Sequence, residues 1–143
     1  MKKKILEPSF TSAQIEGSLS QIESRAENMI FHAGISDLDL SSVNFYECTF
    51  QNVSFRGNMK DCLFQDVVFD HCDLSNCDFT ECVFRRVRVD TCRLMGTDMS
   101  ISSFTDVQLR NSQCAYINLN ETKWKNAAIS GSILCEGSLS MTT

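Results

Sequence analysis

Proline is nearly absent from this chain, with one in 143 residues, and glycine is sparse at six. Flexible linkers rich in these residues are thereby excluded, and the length suits one domain. Positive charge is not in surplus: 13 Lys and Arg face 18 Asp and Glu, for a net charge of −5. Simple electrostatic binding of nucleic acid, which needs a cationic surface, is excluded. No apolar run approaches the roughly eighteen residues of a membrane span. The opening Met1-Lys2-Lys3-Lys4 is followed by Glu7 and Pro8, where a secretion signal needs an apolar core. The chain therefore reads as cytoplasmic, with no membrane and no direct nucleic acid among its partners.

Chemical signatures are missing too. Of eight cysteines none forms Cys-x-x-Cys, and Cys72, Cys77 and Cys82 are five apart rather than at zinc-ligand spacing. His32 and His71 have no partner at such spacing. Free structural thiols are expected, with no metal and no cofactor. There is no Ser-His-Asp set and no glycine-rich phosphate loop, so no catalytic residue is assigned and the chain does not read as an enzyme.

What is present is a period of five. From Phe64 the positions Phe69, Leu74, Phe79, Phe84, Val89, Leu94, Met99, Phe104, Leu109, Cys114, Leu119, Trp124, Ile129, Leu134 and Leu139 are all apolar. At the chain's 43% apolar content, chance gives that run on the order of once in a million. The residue two before each such centre is small or β-branched, from Cys62, Val67 and Cys72 onward. Five fits neither a helix, with its 3.6-residue period, nor one long strand, whose faces alternate by two. It fits a chain that turns a corner after every repeat, with four corners closing a square coil of about 20 residues. The large residue fills the axis and the small one fits beside it. Cys48, Cys62, Cys72, Cys77, Cys82 and Cys92 take the small inward position. The fold class is all-β: a quadrilateral β-helix over residues 30–143, preceded by a short helical or irregular cap over 1–29.

Upstream, the same period is read through Ile30, Ile35, Leu40, Phe45, Phe50 and Phe55. Phe55 to Phe64 is one residue short, placing a four-residue repeat at Arg56-Gly57-Asn58-Met59. Ile15, Leu19, Ile22, Ala26 and Met29 follow helical spacing, and Thr11 to Gln14 reads as a capping box. At the other end the period is still running at Leu139. An uncapped solenoid end exposes a strand edge, so either the protein continues past Thr143 or it pairs there as a homodimer through its C-terminal end.

The runs Cys72-Asp-Leu-Ser-Asn, Cys77-Asp-Phe-Thr-Glu and Cys82-Val-Phe-Arg-Arg resemble the pentapeptide-repeat family. That resemblance implies a right-handed quadrilateral β-helix. Phe84-Arg-Arg-Val-Arg-Val-Asp-Thr-Cys-Arg-Leu-Met-Gly-Thr-Asp-Met99, with Cys114-Ala-Tyr116 after it, is similar to the Qnr-type proteins of Gram-positive bacteria. This second likeness implies a DNA-mimicking rod that binds DNA gyrase and topoisomerase IV and protects them from quinolones. It also implies a C-terminal dimer module, which nothing up to Thr143 supplies.

Stacked in coils of about 20, the surface sorts into four faces. The face of Met59, Phe79, Met99, Leu119 and Leu139 carries Asp61, Asp78, Glu81, Asp98 and Glu121, with Lys60 as its clear base. These five carboxylates are the expected partner-binding residues. The alternative expectation is a scaffold that binds some other protein through a flat face.

Overall fold

The structure, a computed structural model, describes residues 4–131. It is a β-solenoid of about five turns. The strands are β1 (Ile15–Glu16), β2 (Arg25–Glu27), β3 (Met29–Ser36), β4 (Asn44–Tyr46), β5 (Thr49–Phe55), β6 (Leu63–Asp70), β7 (Val83–Asp90), β8 (Ser103–Arg110) and β9 (Lys123–Ser130). Every pairing is parallel, and the main path runs β1-β3-β5-β6-β7-β8-β9. Between strands, single parallel bridges such as Asp78 to Asp98 and Asp73 to Arg93 continue the ladder around the other two sides.

The period of five arises at the corners. Two residues after most centres the backbone turns through the left-handed region, as at Asp66 (φ 56°), His71 (53°), Asn76 (59°) and Glu81 (58°). Asn and Asp tolerate this region best among side-chain-bearing residues, and they supply many of these corners. The centres point inward and stack. Phe45, Phe64, Phe84, Phe104 and Trp124 form a column with ring centroids 5.3, 5.1, 4.9 and 4.4 Å apart. Phe31, Phe50 and Phe69 form a second, at 5.1 and 4.9 Å. These spacings match the rise between paired strands, so ring stacking and the backbone ladder reinforce each other.

The small inward position has a second requirement beyond size. Its thiol or hydroxyl donates to the carbonyl of a centre residue in the preceding coil: Cys62 Sγ to Leu40 O at 3.0 Å, Cys77 to Phe55 O at 3.0 Å, Thr97 Oγ1 to Leu74 O at 2.7 Å and Ser102 Oγ to Phe79 O at 2.9 Å. In return, Ser102 and Ser112 accept the backbone N–H of Cys82 and Cys92. Cysteine and serine therefore interchange here because each can close the same buried bond.

Three readings of the N-terminal third are corrected. The axis positions are Ala26, Phe31 and Ser36, all buried, whereas Ile35 is 65% exposed. Phe31 pairs with Phe50 and Ser36 with Phe55. The phase shifts because a second four-residue repeat lies between Ser36 and Leu40. It stacks against the one at Arg56–Met59, so coils here close in 19 residues, as Phe45 to Phe64 shows, and in 20 from Phe64 to Phe84 onward. Gly57 is required by close approach: a Cβ there would sit 2.0 Å from the Leu38 carbonyl oxygen. Finally, the cap is the irregular alternative. Residues 15–29 hold β1, a 3-10 turn at Leu19–Gln21 and β2, and no α-helix. Thr11 and Gln14 cap nothing; they bond to the solenoid wall, Thr11 to Glu47 and Gln14 to the Met29 and Glu47 carbonyls and Thr49.

Candidate functional site

Four sides follow from the four columns of centres. Side four holds Leu40, Met59, Phe79, Met99 and Leu119 at its axis. Its outer surface presents two columns that carry the expected carboxylates. One runs along Asp39, Asn58, Asp78, Asp98 and Asn118, each bridged to the next. The other is the corner column Ser42, Asp61, Glu81, Ile101 and Glu121, all at positive φ. The five residues Asp61, Asp78, Glu81, Asp98 and Glu121 thus share one side. Asp39 belongs with them: Leu40 beside it is a centre in both readings, but a step of 20 residues misses a column that here closes in 19, from Asp39 to Asn58.

The two columns hold their charge differently. Asp78 and Asp98 each bend back onto the turn that follows. Asp78 Oδ1 accepts the Thr80 N–H at 2.9 Å and its hydroxyl at 2.6 Å, and Asp98 Oδ1 accepts the Ser100 N–H at 3.0 Å and its hydroxyl at 2.7 Å. Asn58 and Asn118 make the same backbone bond to Lys60 and Asn120. One oxygen of each carboxylate is therefore architectural, while the charge itself is not required by the turn. Asp61, Glu81 and Glu121 stand exposed at the corner, and Asp61 Oδ2 accepts from the Ser42 hydroxyl at 3.0 Å. Among the described residues none of the five forms an ion pair.

A different corner column is also acidic, but it is covered. Glu47, Asp66, Arg86 and Asp106 stack between the first two sides, and an N-terminal strap lies along them. Thr11 N–H donates to Glu47 Oε1 at 2.5 Å, Ser9 N–H to Asp66 Oδ1 at 3.1 Å and Leu6 N–H to Asp106 Oδ1 at 3.2 Å. Arg86 grips Asp66 through two bonds of 2.7 and 2.9 Å, which pushes its already high pKa further up. Glu7 is held by Arg88, Gln108 and Arg110 at 3.5, 2.8 and 3.1 Å. Nothing in the spacing of the strap's residues signals this docking, because its donors are backbone N–H groups.

The seven thiols among the described residues lie inside, away from any surface. Burial pushes Cys48, Cys77 and Cys114 up to about 11. The neighbouring Cys62 thiol and burial raise Cys82 further still. No group of three or more His, Cys, Asp or Glu side chains gathers as metal ligands among the described residues. The apolar void between Phe104, Leu119 and Trp124 measures about 30 Å³, room for a water and no substrate. The larger depressions, about 410 Å³ near Leu19 and Phe31 and about 550 Å³ beside Arg86, are open surface grooves. No helix among the described residues is long and apolar enough to cross a membrane.

This is a filled parallel solenoid, with its polar groups spread over outer sides rather than gathered in a cleft. The profile described as the pentapeptide repeat region matches residues 62–138, more than half of the chain, and the chain belongs to that family. No curated protein matches it. Among solved structures it is similar to a trypsin-treated variant of QnrB1, a plasmid-mediated fluoroquinolone resistance protein, at 24% identity and a TM-score of 0.50. That match covers 82% of this chain and 63% of the other, so the chain spans just under two thirds of its length. Full-length QnrB1 matches at 16% identity and a TM-score of 0.34, over 92% of this chain and 88% of that one. The pentapeptide repeat protein Rfr23 of the cyanobacterium Cyanothece 51142 matches at 11% and 0.25, over 84% and 87%. The first of these likenesses, at a TM-score of 0.50, concerns the fold alone.

Proposed function

We propose that this chain is a non-enzymatic DNA mimic that docks its fourth side onto type II topoisomerases, DNA gyrase and topoisomerase IV, and protects them from quinolones. The observation that carries the reading is the unpaired stacking of like charge on side four. Asp78 bridges directly to Asp98, and Asp61 and Glu81 follow each other up the corner. Carboxylates about 5 Å apart repel by about 1 kcal/mol in water. A wall shaped for stability alone alternates its charges, as Asp66, Arg86 and Asp106 do. A partner built to bind the phosphate rows of duplex DNA would meet side four with cations. The likeness to QnrB1, a fluoroquinolone resistance protein by its description, supports the same direction.

The test is gyrase supercoiling in the presence of ciprofloxacin, alongside direct binding to the gyrase heterotetramer. Full-length protein is expected to restore supercoiling, with affinity that falls as salt rises. The triple variant Asp78→Asn, Glu81→Gln, Asp98→Asn is expected to lose both effects. Undiminished gyrase binding by that variant would count against the reading. Absence of protection by the unsubstituted protein would favour the second one, a scaffold that binds another protein through a flat face.

A further inference from the structure

We infer that Ile101 and Tyr116, with Met95 beside them, are apolar anchors of the partner contact on side four, and that the partner is a protein surface on which basic side chains surround apolar pockets. This rests on the reading that a type II topoisomerase docks on the acidic side.

The corners make the case. Among the described residues, every non-glycine position with positive φ is polar except two, Ile101 (57°) and Tyr116 (60°). A β-branched side chain is among the worst occupants of the left-handed region. Ile101 nevertheless occupies it while 54% exposed, so burial within the chain does not repay the choice. Tyr116 is 60% exposed, and the preceding coil has Gly96 in its column, where the Asn76 side chain folds across the bare backbone. Tyr116 therefore stands clear of a neighbour in that direction.

Their placement is as informative as their exposure. Ile101 ends the stretch of side four that contains Asp98 and Ser100. Tyr116 opens the stretch that contains Asn118 and Asn120, one coil further on, and the two stretches are hydrogen-bonded through Met99 N–H to Asn118 O at 2.9 Å. The two apolar groups thus mark opposite edges of the same acidic wall. Met95, 41% exposed, sits one residue before the Gly96 corner. Tyrosine, methionine and other large apolar side chains embedded in a polar rim are the composition of binding hot spots. The surrounding carboxylates select the partner. A second copy of this chain would bring acid against acid, and an anionic membrane would repel the same groups. A basic protein surface satisfies both components.

The experiment uses the full chain with the gyrase heterotetramer as probe, measuring equilibrium affinity at low salt and at about 0.5 M salt, where exposed charge is screened. The variants are Ile101→Asn and Tyr116→Asn, because Asn76, Asn111 and Asn126 show that asparagine fits this corner. Ile15→Ser, at a 67% exposed site outside side four, is the control. Each corner variant is expected to weaken binding about tenfold or more and to abolish the part that survives high salt. Ile101→Asn is expected to raise the melting temperature at the same time, since the strained corner is relieved. The control changes neither. If both corner variants bind within twofold of the original while the carboxylate triple variant does not, the anchor assignment is overturned and the topoisomerase reading stands. If the unsubstituted protein does not bind gyrase at all, that reading falls and takes the anchors with it. Self-association of the free protein that disappears in the two variants would assign the patch to a second copy and overturn the inference.

Discussion

Replacing Asp78 and Asp98 together, once by asparagine and once by alanine, separates the charge of side four from its architecture. In the structure each carboxylate accepts one backbone N–H and one hydroxyl from the turn that follows it. Asn58 and Asn118, directly below and above in the same column, already perform the backbone part of this task with an amide oxygen. Asparagine at 78 and 98 keeps that bond. It weakens the hydroxyl bond by removing its ionic character, and it removes a like-charge repulsion of about 0.9 kcal/mol at a strand spacing of ~4.8 Å, less once salt screens it. The two changes oppose each other, so the double asparagine variant is expected within about 1 kcal/mol of the original stability. Alanine deletes the acceptor altogether. At about 1–1.5 kcal/mol per lost turn, offset by the same relieved repulsion, the double alanine variant should be less stable by about 1–2 kcal/mol. Urea unfolding monitored by circular dichroism measures both, and gyrase binding measured on the same samples should fall equally in the two. Equal destabilisation of the two variants would refute the reasoning, because it would show that the charge holds the turn. Intact binding in the asparagine pair would show instead that these carboxylates are not a contact.

Two further outcomes follow from the interior. Gly57→Ala should cost about 2–4 kcal/mol, since its Cβ would meet the Leu38 backbone oxygen at 2.0 Å and neither backbone can yield without breaking the stacked short repeats. Gly96→Ala, where the obstacle is the movable Asn76 side chain and φ is 68°, should cost about 1–2 kcal/mol in the same urea assay, and a reversed order would contradict the close-approach argument. The thiols make the fold sensitive to alkali. Cys48, Cys77 and Cys114 have folded pKa values raised to about 11 from 9.0, so their contribution is complete below pH 9 and is lost as pH rises through 11. At about 1.4 kcal/mol per unit, each such group weakens the fold by about 2–3 kcal/mol across that window. Thermal unfolding from pH 7 to 11 should show the loss, and Cys77→Ser, which keeps the donor to Phe55 O, should lessen it; a midpoint unchanged to pH 11 would contradict it.

The five-residue period was legible because it is a statement about volume, and volume is written in residue types. Phe64, Phe84 and Phe104 announce an axis, and Cys72, Cys77 and Cys82 announce a tight place beside it. The donor role of those cysteines was not legible, since size alone accounts for them and only the position of the preceding carbonyl shows the bond. The phase of the first coil misled for a physical reason. Ile30 and Ile35 are apolar and correctly spaced, but the short repeat between Ser36 and Leu40 moves the inward register by one, leaving Ile35 outside and a serine inside. Asp39, which joins the acidic column, is missed for the companion reason that the first coil closes in 19 residues rather than 20. The expected C-terminal pairing concerns residues outside the described range.

The strap bears on which wall of the rod is free to act. A square solenoid of this composition places carboxylates on more than one corner, and repulsion alone does not decide among them. Here the Glu47–Asp66–Asp106 corner receives three backbone N–H groups and the Arg86 guanidinium, so its charge is matched within the chain. The Glu7 carboxylate that the strap brings is in turn matched by Arg88 and Arg110. The chain thereby uses its non-repeating segment to close one acidic corner and leaves Asp61, Glu81 and Glu121 at another without a cation. Asp66 and Asp106 are each 7% exposed, whereas the corner of side four is open to solvent. The difference between the walls arises from a segment that lacks the repeat, and a regular array of repeats could not have produced it.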